Sequence, residues 1–168
     1  MTEPRVREDG RMGEMVERRT AQGELIEVVE RPEVAQRLGL DPHPEGGWYR
    51  RTWTGAARVS TPSGGRPSAT LILFFLPAGE ASAWHLVAND EIWLWSGFGD
   101  ISLQDGGAGP RPVPGETTVL GDAAAGGVPQ AVIEGGRWQR TLVADHDALA
   151  SCMVSPGFDF ADFAMAEG

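Results

Sequence analysis

From Trp48 onward the apolar positions fall into short runs separated by Gly, Pro, Asn and Asp, a pattern that predicts an antiparallel all-β domain. Roughly eight to ten strands are expected at this spacing. The clearest are 48–54, 70–76, 83–87, 91–96, 100–104, 117–120, 130–134, 138–143 and 151–154. Ahead of them, Pro32 to Leu38 reads as a short helix, with Glu33 in its first turn, Val34 and Leu38 four apart, and Gly39 as its stop. The stretch ELIEVVE at 24–30 fits a strand or a helix equally well. Residues 1 to about 22 mix Arg, Glu, Gly and Met without hydrophobic periodicity, which predicts a poorly ordered, dispensable tail and one domain over 23–168. The last element, 158–166, is expected as a short helix or turn that brings Phe160 and Phe163 back onto the body.

Composition narrows the chemistry. The 168 residues are 41% hydrophobic and 23% charged, ordinary for a globular domain. All 14 basic residues are Arg, so lysine Schiff bases, pyridoxal-phosphate anchors and lysine-bearing phosphate loops are excluded. The net charge of −10 argues against a nucleic-acid partner. The longest apolar run, 69–77, is too short for a membrane helix, and the N-terminus has no apolar signal-peptide core, so a cytoplasmic location is expected. The single Cys152 is expected as a small buried hydrophobe.

The richest segment runs from Gly79 to Gly97. It reads as strand, tight Asn89-Asp90 turn, strand, with His85 just before the turn and Glu91 just after it. On paired strands the two side chains would share a face, an arrangement suited to metal ligation or general acid-base work. Glu91, Trp93 and Trp95 alternate, which predicts a pocket floored by indole rings.

This spacing resembles the first motif of the cupin superfamily, Gly, then His-x-His, Glu and Gly, with Gly79, His85, Glu91 and Gly97 at or near those places. His43-Pro-Glu-Gly-Gly47, Trp48-Tyr49-Arg50, Ser82-Ala-Trp-His85, Asp90-Glu-Ile-Trp93 and Ser155-Pro-Gly-Phe-Asp-Phe160 are similar to a bacterial and fungal cupin branch, marked by its HPEGG motif and described as sugar-epimerase-like. The resemblance spans about residues 30 to 165. It implies a double-stranded β-helix, the cupin or jelly-roll barrel, here with a short N-terminal helix. Two departures stand out: Val87 replaces the second histidine, and Gln139 stands where the second motif ends in a ligand histidine. The surviving set, His85, Glu91 and Gln139, should hold divalent metals weakly, so a metal-free state is expected, with weak divalent-metal binding as the alternative.

The resemblance implies a small-molecule ligand, with His85 as base, Glu91 orienting it and Tyr49 as acid on an isomerase- or epimerase-type reaction. His43, Glu45, Gly46, Gly47, Arg51, Trp93 and Gln139 are the expected substrate-binding residues. The HPEGG segment could instead only close a turn, and Arg50, Arg51 and Arg66 could form a solvated face or dimer contacts. His146 is expected at the surface. Two other functions fit the same sequence: a non-catalytic ligand-binding barrel, or a metal-dependent oxygenase or lyase with an atypical site. A homodimer is the expected assembly, since a small all-β domain must protect its edge strands.

Overall fold

The structure, a computed structural model, describes residues 13–167. It opens with strands β1 (Met15–Arg19) and β2 (Leu25–Glu30), helix α1 (Glu33–Leu38) and the two-residue β3 (Asp41–Pro42). Next come β4 (Trp48–Thr54), β5 (Arg58–Thr61), β6 (Gly64–Pro67), β7 (Thr70–Leu76), β8 (His85–Val87) and β9 (Asp90–Phe98). The remaining strands are β10 (Ile101–Asp105), β11 (Thr117–Leu120), β12 (Gln130–Ile133), β13 (Trp138–Thr141), β14 (Ala148–Ser155) and β15 (Phe163–Met165).

Two antiparallel sheets make the barrel, one in the order β12-β9-β14-β7-β4-β3 and the other β11-β10-β13-β8-β15. The interior is filled from both, by Phe74 and Leu76 of β7, Trp93 of β9, Ala150 and Cys152 of β14, and Ile101, Leu103 and Leu120 of the facing sheet. Strand β14 alternates strictly between buried and half-buried positions, as a strand between two neighbours with one core-facing side should. Strand β7, Thr-Leu-Ile-Leu-Phe-Phe-Leu, is apolar at both parities because both its faces are covered. Phe74 points into the barrel, whereas Phe75 packs outside it with Trp48, Ala35 and Leu40.

That outer core explains the N-terminal elements. Helix α1 stops at Gly39, whose φ of 65° lets its N–H turn back to the carbonyls of Ala35 and Gln36. ELIEVVE forms a strand, and it pairs with a segment the sequence pattern assigns to the tail. Met15–Arg19 is β1, antiparallel to β2, and Val16 and Val29 pack onto the Phe75–Trp48 core. The tail therefore does not extend to residue 22; a five-residue strand interrupted by Glu17, Arg18 and Arg19 gives too little periodicity to register. The expected tail residues 1–12 lie outside the described residues.

Three further differences bear on the site. Strands β8 and β9 do not form a hairpin: β8 pairs with β13 and β15, and β9 with β12 and β14. The chain crosses between sheets at Ala88-Asn89, so His85 and Glu91 face each other across the barrel rather than along one sheet. The C-terminal segment is a 3-10 turn at Phe160–Asp162 followed by β15, which pairs with β8. The hairpin β5–β6 has too polar a sequence to read as strand.

Candidate functional site

A cavity of about 340 Å³ opens inside the barrel, at the small end of the roughly 300–1,000 Å³ usual for ligand pockets. Among its polar groups are His43 and Glu45 from the loop after β3, His85 from β8, and Glu91 from β9. All four are buried. Around them stand Tyr49, Phe74, Trp93, Phe158, Phe160 and Phe163.

Hydrogen bonds assign the protons. The Nδ1 of His85 lies 2.9 Å from the carbonyl oxygen of Ala83, which can only accept, so Nδ1 carries the hydrogen and Nε2 presents a lone pair. That lone pair sits 3.3 Å from Oε2 of Glu45, a contact that is favourable when the carboxyl holds a proton to donate. The backbone N–H of Glu45 donates to Nδ1 of His43 at 3.2 Å, placing the His43 hydrogen on Nε2. The Nε2 of Gln139 donates to Oε2 of Glu91 at 2.6 Å, while its Oε1 accepts from the Trp93 indole at 2.9 Å.

Burial drives the ionisation of every member toward neutrality. It pushes the His43 imidazole down to about 3, helped by His85 and by the guanidinium of Arg18. His85 falls to about 4 by burial, against the opposing pull of its Ala83 hydrogen bond. Glu45 is raised well above the usual carboxylate range by burial and by the charge of Glu91. Glu91 rises to about 7, burial again leading and the Gln139 hydrogen bond working against it. At neutral pH burial thus favours two neutral imidazoles, biases the Glu45 carboxyl toward its protonated form and leaves Glu91 poised between its two forms.

The expected site residues separate into wall and support. His43, Glu45, Tyr49, Arg51, His85, Glu91 and Trp93 line the cavity. Gln139, Gly46 and Gly47 do not. Gln139 stands behind Glu91 and holds it by a hydrogen bond to Oε2. The glycines serve the turn rather than close approach of a ligand. Both have positive φ, and a Cβ on Gly46 would sit 2.3 Å from the carbonyl oxygen of Ala81.

One indole, that of Trp93, lines the cavity; the Trp95 indole donates to the Gly99 carbonyl instead. Arg66 is neither solvated nor free, since it grips Asp162 with two hydrogen bonds of 2.7 and 2.9 Å. Cys152 is buried and also forms part of the cavity wall. Sequence reasoning missed the three phenylalanines of the C-terminal turn as lining residues, although their apolar spacing was visible. It also missed Glu80, which accepts from the N–H of Gly47 and from the Trp48 indole and so fixes the glycine turn.

The model of the family described as Cupin superfamily (DUF985) matches residues 32–166. The chain belongs to the cupin superfamily. Among solved structures, this cupin is similar to a hypothetical protein from Leishmania major, at 31% identity and a TM-score of 0.69, over 77% of this chain and 83% of that one. It is likewise similar to a protein from Shewanella oneidensis, at 32% identity and a TM-score of 0.68, over 79% of this chain and 82% of that one. No curated protein matches the sequence.

Cupins commonly hold a metal through imidazole nitrogens and a carboxylate, and the donors here are otherwise engaged. His85 Nε2 is turned to Glu45, the Gln139 amide is engaged at both ends, and Val87 offers no donor. Among the described residues no group of three or more His, Cys, Asp or Glu side chains is arranged to hold an ion. As arranged, the donor set does not fit a metal, and the chemistry below uses none.

Proposed function

We propose that this small-molecule-binding cupin is an isomerase- or epimerase-type enzyme that moves a proton on a small polar, carbohydrate-like carbonyl compound inside the barrel. The observation that supports this is the convergence of Glu45, His85 and Glu91 in one aromatic-walled cavity inside the barrel. Proton abstraction beside a carbonyl needs a base for the carbon-bound proton and an acid for the oxygen that becomes an enol.

Glu91, raised to about 7, is matched to the base role at neutral pH. Glu45, which burial biases toward its protonated form and whose Oε2 lies 3.3 Å from Nε2 of His85, is the acid. The C–H proton passes to the Glu91 carboxylate, the C–H electron pair forms the carbon–carbon double bond, and the carbonyl oxygen takes the Glu45 proton. Return of a proton to carbon, from Glu91 at the neighbouring carbon in an isomerase or from Tyr49 on the opposite face in an epimerase, re-forms a carbonyl as the enol O–H proton goes back to Glu45; in the epimerase the Tyr49 phenolate then recovers a proton from Glu91 through solvent. Relative to the roles expected from the sequence, base and partner change places, because His85 at about 4 is too weak a base to lead.

The test is deuterium incorporation. Incubating the protein in D2O with a panel of aldoses, ketoses and their acids should place deuterium at the carbon next to the carbonyl of at least one compound. The rate should rise with a midpoint near pH 7 and fall by roughly 100-fold or more in Glu91→Gln. Tight binding of a compound in the barrel with no deuterium entering any member of the panel would establish the non-catalytic binding barrel instead.

A further inference from the structure

The hairpin β1–β2 carries one side chain into the foundation of the site. Arg18 is buried, over the face of Trp48 at 5.9 Å, although it comes from a strand whose other charged residues are exposed or half-buried. Its Nη1 donates to Glu27 at 2.6 Å on the paired strand, and its Nη2 reaches Glu80 at 3.0 Å and the Gly47 carbonyl at 3.3 Å. These three acceptors belong to three separate segments. A planar fork with fixed donor directions can bridge them at once, which a lysine ammonium on a flexible stem cannot.

The contacts continue from there to the reacting groups. Glu80, held by Arg18, accepts from the N–H of Gly47 at 3.1 Å and so anchors the loop that bears His43 and Glu45. The carbonyl of Glu45 accepts from the N–H of Ala83 at 2.6 Å, and the carbonyl of Ala83 accepts from Nδ1 of His85 at 2.9 Å. One guanidinium thus ties together the loop that presents Glu45 and the segment that orients His85. Without it, the Glu80 carboxylate loses its buried counter-charge and the Gly47 turn loses a donor.

We propose that Arg18 is a positioning residue, by which the N-terminal hairpin sets the distance between the Glu45 carboxyl and Nε2 of His85. This rests on the proton-transfer reading of the site. Misplacement of a reacting group by about an ångström costs on the order of 100-fold in rate.

The experiment compares the full-length protein with Arg18→Met and Arg18→Lys by imidazole ¹⁵N NMR and by deuterium exchange. In Arg18→Met the His85 Nε2 signal should shift from its wild-type position as the Glu45 carboxyl moves relative to it, and kcat should fall roughly 100-fold with KM nearly unchanged. Arg18→Lys should recover part of both. An unmoved His85 signal in a folded Arg18→Met overturns the proposal. If Arg18→Met does not fold, Arg18→Lys decides alone: a displaced His85 signal supports the role and a wild-type signal overturns it. Absence of deuterium exchange in the wild type would remove the proposed function, while the imidazole signal would still decide for or against Arg18.

Discussion

At the scale of single residues, the site works by withholding charge. A carboxylate in a roughly 340 Å³ cavity walled by aromatic rings has little water to solvate it, and Glu91 keeps one strong compensation, the 2.6 Å hydrogen bond from Gln139. Because a donor to the ionised form lowers a carboxyl pKa, Gln139 sets how far above the usual range Glu91 rises. Gln139→Leu removes that donor and leaves the Trp93 indole unpaired. We expect the Glu91 midpoint to move above 7, read by carboxyl ¹³C NMR, with the activity midpoint following it. A midpoint that stays or falls would show that Gln139 does not tune the base. In this protein the amide at the second-motif position thus does the work of a pKa-setting group, where a ligand histidine would offer a nitrogen to a metal.

At the scale of elements, the cavity depends on segments that touch it from outside the two sheets. The C-terminal turn supplies Phe158, Phe160 and Phe163 and is pinned by the two-pronged Arg66–Asp162 pair, which joins the β5–β6 hairpin to that turn. Asp162→Asn leaves Arg66 without its counter-charge, so a loss of several degrees in Tm is expected, with faster amide exchange confined to 158–165 and weaker ligand binding. Exchange spread evenly over the barrel would instead make the pair a general stabiliser.

How much of this was legible in the sequence follows from range. His85, Glu91, Trp93 and the HPEGG loop announce themselves by local spacing, and the strands of the barrel by runs bounded with Gly and Pro. The partner of His85 does not: Glu45 lies forty residues earlier and meets it only after the chain has crossed sheets. Arg18 and Asp162 are invisible for the same reason, since their contacts run to segments far along the chain. The local inference that most misplaces the site, the His85–Glu91 hairpin, reads a turn signal that in fact marks a crossover between sheets.

At the scale of the whole molecule, neutral histidines and protonated carboxyls make stability depend on pH from two directions. For His43 and His85 the folded values, about 3 and about 4, lie below the ordinary 6.5. The unfolded chain therefore binds protons first as pH falls, so stability is intact above 6.5 and is lost progressively below it. For Glu91 the folded value of about 7 lies above the ordinary 4.5, so the unfolded chain releases its proton first as pH rises. That term is absent below 4.5, grows between 4.5 and 7, and then stays constant. Fully developed, it destabilises the native state by about 3 kcal/mol at 1.36 kcal/mol per pKa unit. Glu91→Gln preserves an acceptor for Gln139 and abolishes the ionisation. Its stability advantage over the wild type, measured by urea unfolding at a series of pH values, should therefore be small at pH 4 and rise to a plateau above pH 7. His43→Gln should show the mirror image, an advantage that grows as pH falls below 6.5. A difference between Glu91→Gln and wild type that does not change with pH would mean that Glu91 ionises as freely in the folded barrel as in the unfolded chain, and the base assigned to the cavity would fall with it.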